Sequence, residues 1–329
     1  MKGLLIFGGA GFLGTNIALM AVKRGYSVVV FDSFVRSGSE NNIKTLIDAG
    51  VEIIRGDIRN KQDFNLIDKM PDVIINLAAQ VGISLSLQYP LMDYEINATG
   101  TLNILEFARE MGNVPVIYAS TNKVFADVNK ERIIEKDSRY EFKDIVGINE
   151  KNSLIGGQHT PYGLSKLVGA LYCKEYFHTY KLPVVINHMS CLYGFHQSGN
   201  SSQGWIDFIM KCIMRDGKVN VYGDGKQIRD LLWCEDIAEL YLAQVEKVNE
   251  IAGEEFAVGG GQRNTMSLLE AITYGEEISG IKAEITFGEW RAADQKVFYA
   301  DISKAKELLG WEPKVSPRQG IKRMYENYK

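Results

Sequence analysis

The sequence predicts an α/β fold with a parallel sheet covered by helices on both faces. Short apolar stretches alternate with helix-like segments through residue 187, and these stretches are continuously apolar, as in strands buried on both faces. A glycine-rich turn directly follows the first stretch. These observations predict a Rossmann-type doubly wound sheet, joined to a smaller mixed α/β lobe that binds substrate.

Length and composition limit the class of protein. The chain has 329 residues, enough for about two domains, and 46% of them are apolar. A net charge of -4 favours neither nucleic acid nor an acidic membrane as a partner, and no apolar run approaches a membrane span. The four cysteines and four histidines lack metal-ligand spacing, which predicts a cytoplasmic protein with reduced thiols and no metal site.

The glycine turn predicts a dinucleotide site. Gly8, Gly11 and Gly14 lie between a predicted strand at 4–7 and a helix-like segment at 15–24. This spacing allows a tight turn, a close approach of backbone to a pyrophosphate, and packing of helix on strand. The anion would lie at the N-terminus of the helix.

Acidic residues follow the next two predicted strands. Asp32 follows the strand at 27–31, where a carboxylate can accept both ribose hydroxyls of adenosine and would repel a 2′-phosphate. This favours NAD over NADP, although Arg36 could contact a phosphate. Asp57 follows the third strand and could accept from the adenine amino group.

Later strands are predicted to place small and hydroxylated residues at the same edge of the sheet. Ala78 and Ala79 follow the strand at 73–77 and leave room for a cofactor, whereas Thr121 follows the strand at 116–119 and could bond the reacting hydroxyl. The other predicted elements are helices at 93–111 and 162–180, strands at 182–186 and 255–258, a polar excursion over the site at 127–160, glycine and aromatic loops between short helices after 187, and two surface helices at 304–328.

Tyr162 and Lys166 are four residues apart and share one face of a predicted helix. A positive charge about 4 Å from the phenol, at an effective dielectric near 20, contributes roughly 4 kcal/mol, or about three pKa units before any opposing desolvation of the phenol. Such a tyrosine can take a proton from a sugar hydroxyl while hydride leaves the same carbon. An isolated Y-x-x-x-K spacing is usually an ordinary helix, so the hypothesis depends on the other motifs.

These motifs resemble the extended short-chain dehydrogenase/reductase family of nucleotide-sugar enzymes, from the glycine turn to the segment LGWEP at 309–313. Within the family, several segments resemble the CDP-tyvelose epimerase branch, which epimerises the 2-position of CDP-paratose. They are AAQV at 78–81, STNKVF at 120–125, QGW at 203–205, GKQIRD at 225–230 and DQKVFYAD at 294–301.

The resemblance implies residue roles. Tyr162 would be the base and acid, Lys166 would hold the cofactor ribose and lower the tyrosine pKa, and Thr121 would assist. The sugar would pass a hydride to bound NAD and take it back on the opposite face of a keto intermediate. The implied cofactor-binding residues are Gly8, Gly11, Phe12, Leu13, Gly14, Asp32, Ser33, Asp57, Ile58, Leu77, Ala78, Ala79, Asn97, Ser120, Tyr162, Lys166 and Ser190. The implied substrate-binding residues are Gln80, Thr121, Asn122, Cys191, Gln203, Trp205, Val221, Tyr222, Arg229, Arg291, Asp294 and Gln295.

Two of these residues, Arg229 and Arg291, are of the type that clamps a diphosphate, although a surface ion pair is the more common role for an arginine considered alone. The resemblance also implies a nucleotide-diphosphate sugar as substrate and a homodimer through paired helices, or a homotetramer. The predicted Rossmann domain comprises 1–187 and 229–260, and the predicted lobe comprises 188–228 and 261–329.

Departures from the family pattern leave the substrate open. Asn122 and Lys123 replace the acidic pair that 4,6-dehydratases carry after the threonine, which disfavours elimination. Phe125-Ala126, His188 and Phe195-His196 also depart from the family pattern, near the expected substrate lobe.

A UDP-sugar 4-epimerase using the same residues is therefore an alternative. A non-catalytic dinucleotide-sensing protein is a third hypothesis, which the three intact reacting residues disfavour.

Overall fold

The computed structural model of the chain describes residues 2–126, 132–152, 154, 159–291 and 294–329. The strands in chain order are β1 (Gly3–Phe7), β2 (Ser27–Asp32), β3 (Glu52–Arg55), β4 (Val73–Asn76), β5 (Val116–Thr121), β6 (Ile133–Glu135), β7 (Tyr140–Phe142), β8 (Val184–Met189), β9 (Cys191–Tyr193), β10 (Lys218–Tyr222), β11 (Ile228–Trp233), β12 (Glu255–Val258), β13 (Thr265–Ser267), β14 (Glu284–Gly288) and β15 (Val297–Phe298). The helices are α1 (Phe12–Lys23), α2 (Ile43–Asp48), α3 (Ile83–Gln88), α4 (Pro90–Tyr94), α5 (Gly100–Glu110), α6 (Pro161–Tyr180), α7 (Trp205–Asp216), α8 (Cys234–Glu246), α9 (Leu268–Ser279), α10 (Ser303–Leu309) and α11 (Pro317–Tyr328).

The main sheet has seven parallel strands in the order β12-β8-β5-β4-β1-β2-β3. The chain winds outward from β1 in one direction and from β4 in the other, so the order reverses between these two strands. Ligands of such sheets bind at the carboxyl ends of the strands beside this reversal. The predicted doubly wound Rossmann-type fold is confirmed.

Both faces of the sheet are buried, which explains why its strands are continuously apolar. Leu4 and Ile6 of β1 belong to a core shared with α1 and α8, whereas Leu5 and Phe7 belong to a second core shared with α5 and α6. Successive side chains of a strand point to opposite faces, so each strand contributes to both cores.

The smaller lobe contains more strands than the sequence predicted. Where we expected loops between short helices, β9, β11, β13 and β15 form one sheet, and β10 pairs with β14. Strand β10 alternates exposed and buried residues over only five positions, too short a pattern to stand out among glycine turns. Strand β11 joins the sheet of the lobe, although its segment was predicted to lie in the Rossmann domain. The domain boundaries stay a prediction.

Two other segments differ in detail from the prediction. The helix expected at 93–111 is α4, a π-helical turn at Glu95–Thr99, and α5. The expected excursion at 127–160 includes residues outside the described part, and its described part contains the hairpin β6–β7. Tyr140 N donates to Lys226 O at 2.9 Å and ties this hairpin to the lobe. None of the helices in the described ranges is long and apolar enough to cross a membrane.

Candidate active site

The glycine turn after β1 leaves its backbone open to a ligand. Gly8 has φ +73°, and a Cβ there would lie 2.6 Å from Ala78 N. A Cβ on Gly14 would lie 2.4 Å from Gly9 Cα, so glycine lets α1 pack against the turn. Gly11 precedes α1 in an extended conformation, and no side chain of the described residues caps the helix. The N–H groups of this helix start therefore remain available to an anion.

Asp32 lies beside this turn at the end of β2. Its two carboxylate oxygens accept from Ala10 N at 3.0 Å and Phe34 N at 2.9 Å, so the backbone sets its orientation. Burial raises the pKa of Asp32, while these hydrogen bonds act in the opposite direction. Ser33 follows Asp32 directly in the same loop.

Asp57 lies after β3, the neighbour of β2 in the sheet. Its carboxylate forms an ion pair with Arg59 at 2.6 Å, and the hydrogen bond from Arg59 lowers its pKa. Ile58 is buried, and its carbonyl accepts from Asn103 Nδ2 at 2.9 Å. The loop after β3 is therefore held in place by α5, and the Asp57 carboxylate is ionised.

The loop after β4 is held by Asn97 from the π-helical turn. Asn97 Oδ1 accepts from Gln80 N at 2.9 Å, and Asn97 Nδ2 donates to Gln80 O at 3.0 Å. Asn97 is fully buried, and the Gln80 side chain bonds Asp93 and Gly82. Both residues thus hold the end of the loop Leu77–Ala78–Ala79, and their contacts with cofactor and substrate stay predictions.

The end of β5 and the start of α6 bring the predicted reacting residues together. Thr160 caps α6 by accepting from Gly163 N at 3.2 Å. A Cβ on Gly163 would lie 2.6 Å from Lys123 O, so this glycine lets the helix start pack on the turn after β5. As a result, Thr121 is close enough to Tyr162 to lower the pKa of its phenol. The Thr121 hydroxyl donates to Asn122 Oδ1 at 3.3 Å.

Lys166 lies one turn further along α6 and is almost fully buried, at 2% exposure. Its ammonium lies 4.3 Å from the centre of the Tyr118 ring, whose hydroxyl donates to Lys166 O at 3.2 Å. Burial lowers the pKa of Lys166 to about 7, against the raising effects of Cys173 and Asp93. The ammonium is thus stabilised by an aromatic face and by a carboxylate that the sequence did not single out.

The pKa of Tyr162 differs from the sequence expectation. Burial raises it, the negative charge of Asp93 raises it too, and only the Thr121 hydrogen bond and the charge of Arg36 lower it. We expected Lys166 to lower this pKa by about three units. Desolvation of the phenol outweighs the opposing contacts in the protein alone.

Several of the predicted substrate residues contact one another where the end of β5 meets the lobe, a region we call the opening. Gln295 Oε1 accepts from Asn122 Nδ2 at 3.4 Å and from Lys123 Nζ at 3.2 Å. Arg229 pairs with Asp294 at 2.6 Å, and the side chain of Arg229 is 11% exposed. Two parts of the lobe therefore reach the end of β5 as ordered polar groups.

The outer part of this opening is aromatic and more exposed. Arg291 lies 4.2 Å over the centre of the Tyr222 ring and donates to Ser201 O. Trp205 Nε1 donates to Cys191 Sγ at 2.9 Å, which holds the start of α7 against β9. The side chain of Val221 is buried in the core of the lobe, so its predicted contact with substrate could be made only through its backbone.

Comparison with known proteins gives the family. Residues 5–324 match the family described as GDP-mannose 4,6 dehydratase. The chain belongs to this family. It is 39% identical to CDP-paratose 2-epimerase of Salmonella typhi, over 98% of each chain. It is 30% identical to a putative UDP-glucose 4-epimerase of Methanocaldococcus jannaschii, over 98% of this chain and 96% of that protein.

A solved structure agrees with this assignment. UDP-glucuronic acid 4-epimerase from Bacillus cereus, in complex with UDP-glucuronic acid and NAD, matches with a TM-score of 0.85 and 27% identity, covering 99% of this chain and 98% of that one. Two predictions are thereby confirmed: that the chain is an extended short-chain dehydrogenase/reductase, and that it is an NAD-dependent nucleotide-sugar epimerase. The hypothesis of a non-catalytic protein loses its support, because these relatives are enzymes.

The crevice of this family member fits NAD. The glycine turn and the uncapped start of α1 suit a pyrophosphate, and the oriented Asp32 suits ribose hydroxyls. Ser120 Oγ is buried beside Thr121 and has no partner among the described residues. Ser190 instead donates its hydroxyl hydrogen to the buried Asp230, so only its oxygen lone pairs remain available.

Sequence reasoning missed two residues of the site. Asp93 lies in the segment LMDYEI beside a second acidic residue, Glu95, and its burial depends on contacts with distant segments. Ser165, inside the Y-x-x-x-K motif, donates to Asp93 at 2.5 Å. The sequence has no local signal that distinguishes the buried Asp93 from its acidic neighbour.

Proposed function

We propose that this enzyme is a 2-epimerase of a CDP-linked deoxyhexose, with CDP-paratose as the substrate to test first. Similarity to CDP-paratose 2-epimerase over nearly the whole of both chains supports the choice of substrate. The observation that carries the chemistry is the packing of the start of α6, with Tyr162 and Lys166 one turn apart, on the turn that follows Thr121 at the end of β5.

The proposed reaction requires one side chain to remove and return a proton. Tyr162 Oη takes the proton of the sugar hydroxyl as the carbonyl forms, and gives it back when the carbonyl is reduced on its other face. Bound NAD would supply the hydride acceptor for the first step and the donor for the second. Thr121 donates its hydroxyl hydrogen to the phenolate oxygen or to the sugar oxygen, which holds both in line.

For this step to proceed near neutral pH, the pKa of the Tyr162 phenol must be lower when cofactor and sugar are bound than in the protein alone. Thr121 and Arg36 already act in that direction, whereas burial and Asp93 oppose them. A sugar that fills the opening would exclude water, which strengthens every remaining charge interaction at the phenol. The ammonium of Lys166 is then the buried positive charge on the same helix face.

The side chains after Thr121 support epimerisation over elimination. Asn122 and Lys123 both point to Gln295 and offer amide and ammonium groups. Removal of water from a hexose needs an extra acid and base, and neither side chain is a carboxyl. Arg229 and Arg291 are proposed to hold the diphosphate, since each lies at the opening with polar partners from the lobe.

A UDP-sugar 4-epimerase is the second candidate, because similarity to UDP-sugar 4-epimerases also covers the whole chain. Purified protein incubated separately with CDP-paratose and UDP-glucose, and followed by proton NMR, distinguishes the two. We expect CDP-tyvelose from the first and no change in the second. Formation of UDP-galactose alone would select the 4-epimerase, and neither product would reject both.

We also propose a homodimer formed through α3, α4 and α6. These helices pack together and expose Leu85, Leu91, Leu164 and Leu171 on their outer side. Sedimentation should show a dimer for the wild type and a monomer for Leu171→Glu, because a buried carboxylate would oppose association. The control Ile281→Glu changes an exposed residue of the lobe and should stay dimeric. A monomeric wild type would contradict this interface.

All four cysteines are free, which supports the cytoplasmic location expected from the sequence.

A further inference from the structure

The fully buried carboxylate of Asp93 lies behind the reacting pair. Its oxygens accept from Gln80 Nε2 at 2.7 Å, Ser165 Oγ at 2.5 Å and Asn97 Nδ2 at 3.3 Å. These partners come from the loop after β4, from the π-helical turn and from α6. A buried carboxylate with three donors is satisfied, but its charge is only weakly screened by solvent.

Asp93 is joined to the reacting pair through Ser165. Ser165 lies between Tyr162 and Lys166 in the sequence, and its hydroxyl also contacts Tyr162 O at 3.0 Å. The Asp93 carboxylate therefore anchors the first turn of α6, which carries the phenol. It anchors the same turn to the loop that lines the cofactor crevice.

Lys166 needs a counter-charge inside the protein. The titratable groups that face it are Asp93 from α4, Tyr118 from β5 and Cys173 from α6. Burial raises the pKa of the Cys173 thiol and of the Tyr118 phenol, so both are neutral near pH 7. Burial also raises the pKa of the Asp93 carboxyl, although the hydrogen bonds from Ser165 and Gln80 and the charge of Lys166 act in the opposite direction. Asp93 is the carboxyl group of this set, and therefore the group in it that carries a negative charge near pH 7.

We propose that Asp93 is a positioning residue for Tyr162 and Lys166: it fixes the first turn of α6 and supplies the buried negative charge that keeps the Lys166 ammonium protonated. This inference rests on the proposed function for its catalytic meaning. Asp93 also opposes ionisation of Tyr162 directly, so its removal lowers the pKa of both groups. The pH–activity profile should therefore move to lower pH on both sides.

The test compares Asp93→Asn with the wild type by two measurements. NMR of protein labelled with 13C at lysine Cε follows the titration of Lys166, with Lys166→Met to assign the signal. We expect the Lys166 pKa to fall by about one pH unit or more in Asp93→Asn. Turnover of the nucleotide sugar, relative to wild type, should fall steadily as the pH rises from about 6 to about 9.

Two control variants separate charge from structure. Ser165→Ala removes one hydrogen bond but keeps the carboxylate, so its relative activity should be lower by the same factor at every pH. Glu95→Gln removes a carboxylate that acts on Arg59, and should leave the Lys166 titration unchanged. If Asp93→Asn does not fold, Asp93→Ser is measured in its place. Asp93→Glu keeps the negative charge, so its Lys166 pKa should equal that of the wild type.

An unchanged Lys166 pKa in the variant would overturn the electrostatic role, and a relative activity that does not vary with pH would reduce Asp93 to a structural residue. The NMR titration needs no substrate. If no nucleotide sugar is converted, the proposed function fails while the role of Asp93 is still tested.

Discussion

The two sides of the site are built differently. On the sheet side, the polar groups are buried and bonded to main chain or to other buried side chains, as for Asn97 and Ser165. On the lobe side, Tyr222 is 40% exposed, and Arg291 is also exposed. The sheet side is therefore held rigidly before any ligand arrives, whereas much of the lobe side can adjust.

This difference suggests a division of work. Proton transfer requires reacting atoms held within a few tenths of an ångström, which the packed start of α6 provides. Choice among nucleotide sugars depends on contacts to groups far from the reacting carbon, which loops can supply and vary. We therefore expect changes on the sheet side to reduce turnover, and changes on the lobe side to alter substrate affinity.

Tyr162→Phe should have the largest effect. Loss of the phenol oxygen removes the only proposed proton acceptor, so turnover should fall about 10³- to 10⁴-fold, while the fold and NAD content stay as in wild type. The matched control Tyr172→Phe changes an exposed tyrosine of the same helix and should retain wild-type turnover. Near-normal turnover in Tyr162→Phe would show that another group accepts the proton. It would also contradict the expectation that the sheet side controls turnover.

Asp32→Ala should have an intermediate effect, on the cofactor alone. The carboxylate is aligned by two backbone N–H groups, and a charge-assisted bond to a ribose hydroxyl contributes about 1.5–3 kcal/mol. The dissociation constant of NAD, measured by calorimetry, should rise about 10- to 100-fold, and the preference over NADP should narrow. Asp48→Ala, at the exposed end of α2, is the control. An unchanged ratio of the NAD and NADP dissociation constants would show that Asp32 does not determine the preference for NAD.

The sheet side could largely be predicted from the sequence because its signals are local. A glycine turn between a strand and a helix sets both the backbone path and its ligand, and Tyr162 and Lys166 share a face because the helix repeat places them there. The acidic residue after β2 follows from the same repeat of strand, turn and helix. None of these predictions needs a contact between distant segments.

The remaining features depend on such contacts. The burial of Asp93 results from packing of α4 and α6, and the raised pKa of Tyr162 results from desolvation of the phenol. The spacing of Tyr162 and Lys166 can be read from the sequence, but the depth of burial cannot, and desolvation at that depth outweighs the contacts that lower the pKa. The lobe was predicted least well, because its short strands pair across long sequence separations.

Arg291→Ala should have the smallest effect and tests the lobe side. The guanidinium is exposed, so loss of its contact with a diphosphate should raise KM for the nucleotide sugar about tenfold, with kcat and NAD binding close to wild type. Arg215→Ala, another exposed arginine of the lobe that pairs only with its neighbour Asp216 among the described residues, should leave all three quantities unchanged. Steady-state kinetics separates the outcomes. A fall in kcat at constant KM would mean that the lobe also sets the geometry of the reacting carbon, because a residue that binds substrate and transition state equally changes KM alone.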